Sequence, residues 1–83
     1  MENEERKNIT KLYIRHVLRR YRTDAGLSLD QIAHRVGISK GFYSNMELGT
    51  KWPNIEMLLR IAEALGVRPG EMLDALVEES KKS

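Results

Sequence analysis

Four positions between 40 and 45 suit a surface that reads nucleic-acid bases. Lys40, Ser44 and Asn45 are polar, and helical spacing places them on one face together with Gly41. Lysine can donate to guanine O6 and N7, asparagine can pair with adenine N6 and N7, and serine can contact either base. Gly41 has no side chain, so it lets the backbone approach a partner closely. We therefore predict that this face makes the base contacts of a DNA-binding helix.

Two short helices joined by a tight turn are predicted to position this face. Ser28 is suited to cap the first helix, and Gly37 is suited to end it. Ser39 is suited to cap the second helix, in which Tyr43 and Met46 form an apolar face opposite the polar one. Two helices joined by a short glycine-containing turn are typical of a helix-turn-helix unit.

Apolar residues recur at helical spacing in three further segments, so we predict an all-α fold of five helices without strands. One helix precedes the pair and ends at Gly26. Another follows Asn54 and stops at Gly66, and the last begins at Pro69. The connections between them are short, which leaves no room for a second domain.

Length and composition indicate one small domain at residues 10–78, with polar tails at 1–9 and 79–83. The 83 residues are 41% hydrophobic and include no cysteine, which excludes a disulfide framework and a thiolate metal site. His16 and His34 have no partner at metal-binding spacing, and we interpret both as surface residues. We therefore expect neither a metal nor a cofactor.

Charge is divided unevenly along the chain. Residues 10–53 carry eight lysines and arginines against three acidic residues, whereas residues 54–83 carry four against six. A basic face of this kind fits nucleic acid better than a neutral ligand. No signal peptide or apolar run near twenty residues is present, which favours a cytoplasmic protein without a membrane partner. An enzyme is not expected, because the sequence lacks a glycine-rich phosphate loop and is too short to enclose a pocket.

Three stretches of the chain match one family as a set: LRRYRTDAGLSLDQIAHRVGISKGFYSNMELG, the proline at position 53, and LLRIAEALGV. On these residues the chain resembles the Cro/phage-repressor type of DNA-binding domain, also called the xenobiotic-response-element family. The resemblance covers about residues 14–76. It implies a five-helix, lambda-repressor-like domain whose third helix lies in the major groove, and a homodimer on a two-fold symmetric operator.

The resemblance also carries over to two charged positions. Arg22 and Glu47 occupy the places of the family's arginine on the first helix and glutamate at the end of the recognition helix. In such domains the two commonly form an ion pair that also orients the arginine near a phosphate. Position 29 departs from the pattern, because many members have a phosphate-contacting glutamine where this chain has Leu29.

Phosphate contacts are predicted from residues that flank the recognition helix. Ser39, Thr50 and Lys51 lie directly before and after it, and Arg22 is placed nearby by the resemblance. Ser28, with the backbone N–H groups at its helix N-terminus, is the candidate that replaces the missing glutamine contact. The basic residues of the first helix are either a solvated surface or a contact surface; they are Lys11, Arg15, Arg19 and Arg20.

The last helix has more apolar side chains than one short helix needs for inward packing. We predict that part of this excess forms a two-fold dimer interface, with Met72, Leu73, Leu76 and Val77 as its residues. Trp52 is expected to cover the core between the third and fourth helices. The alternatives for Trp52 are contact with a dimer partner or with phosphate.

These features together predict a sequence-specific, double-stranded DNA-binding transcriptional regulator, acting as a dimeric repressor. Within that class, the antitoxin of a toxin–antitoxin pair and a restriction–modification controller are alternatives. An antitoxin would also bind a toxin protein. A different class is a protein-interaction module that kept the fold without binding DNA, and the basic residues 10–53 argue against it.

Overall fold

The computed structural model describes residues 9–82, and within that range it contains five α-helices and no strand. They are α1 (Ile9–Asp24), α2 (Leu29–Val36), α3 (Lys40–Leu48), α4 (Ile55–Leu65) and α5 (Pro69–Lys82). The predicted all-α fold of five helices is therefore confirmed. Helix α1 includes Ile9, the last residue of the predicted N-terminal tail, and the rest of that tail lies outside the described residues. None of these five helices is both long and apolar enough to span a membrane.

Side-chain caps begin the three middle helices where the sequence predicts them. Ser28 Oγ accepts a hydrogen bond from the Gln31 N–H (3.1 Å), and Gln31 Oε1 accepts one from the Ser28 N–H (2.8 Å). This reciprocal pair is a capping box, which satisfies two of the unpaired donors at the start of α2. Ser39 caps α3 by accepting from the Phe42 N–H at 3.1 Å, and the Asn54 side chain caps α4 in the same way.

One hydrophobic core holds the helices together. Helix α1 packs against α3 and α5, α2 packs against α3 and α4, and α4 packs against α5. The largest fully buried side chains are Tyr43, Ile14, Leu18, Ile32, Met46, Ile61, Met72 and Val17. Tyr43 and Met46 are both 0% exposed, so the predicted inward face of α3 is confirmed. Helix α3 is thus anchored to the core by these two side chains.

The C-terminal tail prediction is wrong for residues 79–82, which continue α5. Two ion pairs at i, i+3 spacing support this last part of the helix. Glu78 Oε2 lies 3.9 Å from Lys81 Nζ, and Glu79 Oε2 lies 3.7 Å from Lys82 Nζ. Both lysines also lie at the negative end of the helix dipole, which favours their charge.

The prediction that Met72 and Leu76 contribute to a dimer interface is also wrong. They are only 0% and 6% exposed, because they fill the core beneath α5. The neighbouring Leu73 and Val77 point outward and are 42% and 45% exposed. The apolar residues of α5 therefore serve two surfaces, and only the outer one remains available to a partner.

Candidate nucleic-acid interface

Helix α3 presents its polar residues on the side away from the core. Lys40 and Gly41 are exposed, and Ser44 and Asn45 are half-buried. The spacing i, i+1, i+4 and i+5 places all four on adjacent turns of one face. The structure therefore brings together the four residues predicted to read bases.

The turn before α3 is fixed by Gly37 and by a side chain from α4. Gly37 has φ +86°, and its N–H donates to the Ala33 carbonyl at 2.9 Å, which closes the end of α2. Arg60 Nη2 donates to the Val36 carbonyl at 2.8 Å. A Cβ at position 37 would lie 3.1 Å from that nitrogen, so glycine allows both the backbone conformation and the close approach of Arg60. Sequence periodicity does not reveal this contribution of Arg60, because the two groups are far apart in the chain.

Lys40 is also paired with an acidic residue that sequence reasoning did not select. Its Nζ lies 3.5 Å from Asp30 Oδ2 on α2, and the two side chains are 56% and 74% exposed. An exposed ion pair of this kind contributes at most about 1 kcal/mol. Asp30 therefore biases the direction of the Lys40 side chain without holding it away from a ligand.

The ion pair predicted between Arg22 and Glu47 is present and is bidentate. Arg22 Nε donates to Glu47 Oε2 at 2.7 Å, and Arg22 Nη2 donates to Glu47 Oε1 at 3.0 Å. Arg22 Nη1 also donates to the Leu27 carbonyl at 2.9 Å. The side chains are only 12% and 6% exposed, and the hydrogen bonds to Glu47 raise the pKa of Arg22. The pair therefore ties α1 to the end of α3, while the predicted phosphate contact of Arg22 stays a prediction.

The hydroxyl of Tyr43 is buried beside this ion pair. It makes no hydrogen bond of acceptable geometry within the described residues. Burial, together with the nearby Glu47 carboxylate, raises the pKa of Tyr43 far above its ordinary value. The phenol is therefore neutral, and its hydroxyl, close to the Glu47 carboxylate but without a hydrogen bond of good geometry, is poorly compensated for its desolvation.

We expect Tyr43→Phe to leave the free energy of unfolding unchanged or to raise it by about 1 kcal/mol. The substitution keeps the buried ring and removes only the unpartnered hydroxyl. Urea denaturation of the two proteins measures the difference. A loss of 1 kcal/mol or more would show that the hydroxyl has a partner after all. Tyr43→Ala is the contrasting variant, since it should cost about 3–5 kcal/mol through the cavity it leaves.

The predicted phosphate contacts lie at the N-termini of α2 and α3 and directly after the end of α3. Ser39 stands at the N-terminus of α3, and Ser28 stands at the N-terminus of α2. The Ser28 N–H is already engaged in the capping box, which leaves its hydroxyl as the group that can donate to a phosphate. Thr50 and Lys51 lie at the C-terminal end of α3. Their N–H groups donate to the Asn45 carbonyl at 3.0 and 3.2 Å.

Trp52 does not close over the core, because it is 45% exposed. The Lys11 Nζ lies 4.4 Å from the centre of its ring, which is a cation–π contact. Trp52 lines a groove of about 290 Å³, together with Pro53, Ile55 and Leu73. Trp52 therefore belongs to the surface between the loop and α5.

Exposed apolar side chains line this groove and continue beyond it along α4 and α5. We call them the α4–α5 patch, which consists of Trp52, Ile55, Leu59, Leu73 and Val77. Ile55 and Leu59 share one face of α4, and Leu73 and Val77 share one face of α5, because each pair is four residues apart. Exposed apolar patches of this kind mark interaction surfaces on proteins.

Comparison with known proteins agrees with this architecture. The Helix-turn-helix family model matches residues 18–72. SlrR, an HTH-type transcriptional regulator of Bacillus subtilis (strain 168), is 33% identical over 63 residues, which are 75% of this chain and 41% of SlrR. This chain therefore spans less than half of SlrR. An uncharacterized HTH-type transcriptional regulator of Methanothermobacter thermautotrophicus is 32% identical over 69 residues, which are 83% of this chain and all of that protein.

Two solved structures have the same arrangement of helices. The crystal structure of the clp gene regulator ClgR from C. glutamicum has a TM-score of 0.78 at 28% identity, covering 83% of this chain and 90% of that one. A mutant of the Restriction-Modification Controller Protein C.Esp1396I has a TM-score of 0.76 at 21% identity, covering 86% and 87%, which shows the fold alone. With the family match over most of the domain, the chain belongs to the helix-turn-helix family of transcriptional regulators.

Proposed function

We propose that this chain recognises a specific double-stranded DNA operator by laying α3 in the major groove, and that it acts as a dimeric repressor. The observation that carries the proposal is the division of α3 into two faces. Tyr43 and Met46 are fully buried, while the side opposite them carries Lys40, Ser44 and Asn45 at the surface. Recognition helices read base edges with polar side chains near their N-terminus, as this helix offers.

Backbone contacts would set the position of α3 in the groove. Ser28 and Ser39 lie at the helix N-termini, where N–H groups and the helix dipole favour a phosphate. Thr50 and Lys51 lie at the opposite end of α3, the end at which Arg22 pairs with Glu47. Such contacts position a protein on DNA without specifying sequence. The phosphate contacts would therefore hold the protein on DNA of any sequence, and the base contacts of α3 would add the preference for one operator.

Dimerisation would use the α4–α5 patch. Its five apolar residues are 42–68% exposed in one chain, and a two-fold contact would cover the same patch on both copies. Two copies of α3 could then read the two halves of a palindromic operator, about one helical turn apart. Repression follows when the occupied operator overlaps promoter elements, an activity that belongs in the cytoplasm.

Selection of bound sites from a random-sequence DNA pool tests the proposal directly. We expect one enriched sequence with two-fold symmetry, and an affinity that falls steeply with salt, by about 0.9 in log–log slope for each neutralised phosphate. A protein-interaction module would enrich no sequence and bind duplex DNA weakly at every salt concentration. That outcome would refute the DNA-binding proposal. Enrichment of a single half-site would refute only the dimer.

Lys40→Ala tests the base-reading assignment at one position. We expect it to relax the preference for one base pair per half-site, by about 1–3 kcal/mol if the lysine makes a good contact to guanine. The matched control is Lys82→Ala, because Lys82 is also an exposed lysine paired with a neighbouring acid on its own surface. Competition binding with operators changed at single positions measures the preference. Equal selectivity of the two variants would contradict the role of Lys40.

A further inference from the structure

Three basic residues of α1 stand four residues apart on one face of the helix. They are Lys11, Arg15 and Arg19, and we call them the α1 basic row. Positions i, i+4 and i+8 lie one above another on a helix, so the row extends over about 12 Å. All three residues are exposed.

Each member of the row faces a different residue of segment 47–52, which comprises the end of α3 and the loop after it. Arg19 Nε lies 3.9 Å from Glu47 Oε1, near the end of α3. Arg15 lies against the backbone of Gly49, and Lys11 lies over the ring of Trp52. The row therefore runs alongside residues 47–52, in the opposite chain direction. It borders the same end of α3 as Thr50 and Lys51.

Gly49 provides the space that Arg15 occupies. A Cβ at this position would lie 3.0 Å from Arg15 Nη1 and 3.1 Å from Arg15 Cδ, closer than side chains normally approach. The φ of Gly49 is +86°, a conformation that glycine adopts at little cost. The guanidinium is thus held at the C-terminal end of α3, where the helix dipole favours a positive charge.

Within residues 9–82, Glu47 is the only carboxylate within ion-pair distance of the row, and of its members it faces Arg19 alone. Both oxygens of Glu47 already accept short hydrogen bonds from Arg22, and the Arg19 side chain is 72% exposed. Lys51, in the loop after α3, is a further exposed cation of the segment that the row borders. Exposed basic side chains therefore border the end of α3 and the loop after it.

We propose that the α1 basic row binds the phosphate backbone of the DNA strand beside the C-terminal end of α3. This assignment rests on the proposed function, and it extends the phosphate contacts from the loop onto a helix that does not enter the groove. DNA is the partner that fits, because each strand carries one phosphate charge per about 3.4 Å of helix axis, so a row of about 12 Å can meet about three of them. The row adds affinity without adding sequence preference.

The test is a triple variant, Lys11→Ala, Arg15→Ala and Arg19→Ala, in the full chain. We expect the salt dependence of DNA binding to lose up to about 2.7 in log–log slope, and affinity at 0.1 M salt to fall by at least about tenfold. Operator and random DNA should lose affinity by the same factor. The charge-matched control removes Arg68, Lys81 and Lys82 by alanine substitution, which should change the slope by less than about 0.5.

Three results separate the possible outcomes. A triple variant with the slope of the parent or of the control overturns the α1 assignment and leaves the proposed function intact. A parent chain that does not bind DNA at all refutes the proposed function itself. Lys11 also contacts Trp52 of the α4–α5 patch, so Arg19→Ala alone decides the matter if the triple variant loses helical circular dichroism or sediments unlike the parent. The exposed Arg19 side chain should by itself account for about 0.9 of the slope. Arg15→Lys with Arg19→Lys should retain the parental slope, since phosphate attraction requires the charge and not the guanidinium.

Discussion

Glu47→Ala is expected to lower the free energy of unfolding by about 3 kcal/mol, the low end of the range for breaking a buried ion pair from one side. The loss follows because Arg22 would remain almost buried, at 12% exposure, with its charge no longer balanced. The carboxylate also accepts two short hydrogen bonds, at 2.7 and 3.0 Å, and these disappear with it. The variant therefore removes the ion pair that joins α1 to α3.

An effect of this size is large for so small a domain. At about 0.05–0.15 kcal/mol per residue, the whole chain has a stability of roughly 4–12 kcal/mol. A loss of 3 kcal/mol would lower the midpoint of thermal unfolding by about 12–24 °C. Thermal and urea denaturation followed by circular dichroism at 222 nm measure both quantities.

Two further variants separate the ion pair from a general effect of charge. Glu63→Ala removes an exposed carboxylate from α4 and should change stability by less than about 0.5 kcal/mol. Arg22→Met combined with Glu47→Leu removes both charges, and it should recover most of the loss because neither partner is left buried alone. A Glu47→Ala protein that unfolds at the parental midpoint would show that the pair contributes nothing to the fold.

The pH dependence of the pair has a definite sign. Glu47 raises the pKa of Arg22 above that of arginine in the unfolded chain. The contribution of Arg22 is therefore complete below the unfolded pKa, and it is lost only when the pH rises through the higher folded value. Between about pH 6 and pH 9, the ionisation of Arg22 should leave stability constant.

The sequence predicts the framework of this domain because its signals are local. Ser28, Ser39 and Asn54 each bond to a backbone N–H three residues away, and a pattern of adjacent residues is enough to reveal such a cap. The burial of Tyr43 and Met46 follows in the same way from their spacing within one helix. These local signals placed α3 with the correct side outward.

Contacts between distant residues could not be predicted in this way. The apolar residues of α5 cover more than one face, and only packing against the other helices decides that Met72 and Leu76 point inward while Leu73 points outward. Two contacts join segments more than twenty residues apart. Arg60 donates to the Val36 carbonyl, and Arg15 packs beside Gly49. Periodicity within a helix contains no information about such a partner.

Leu73→Asp is expected to convert a dimer into a monomer, and to raise the dimer dissociation constant by at least about a hundredfold. Each two-fold contact would bury two copies of Leu73, and each substitution replaces apolar burial with a charge that loses its water. The side chain is 42% exposed in the single chain, so the monomer should still fold. Leu76→Asp would not serve here, because Leu76 is only 6% exposed and the charge would disrupt the core.

Sedimentation velocity of parent and variant measures the change in oligomeric state. The control is Leu12→Asp, since Leu12 is 47% exposed on α1 and lies outside the α4–α5 patch. The control should sediment as the parent does. A Leu73→Asp protein that remains dimeric would place the interface elsewhere on the surface, with base reading by α3 unaffected.

The same variant separates assembly from base recognition on DNA. A monomer still carries α3 with Lys40, Ser44 and Asn45 at the surface, so it should select the parental half-site sequence, only more weakly. It should lose the preference for two half-sites at a fixed spacing, because that preference requires two recognition helices held about one helical turn apart. Site selection with Leu73→Asp should therefore return single half-sites where the parent returns pairs. Loss of the half-site preference as well would mean that the substitution acts on α3 and not on the dimer.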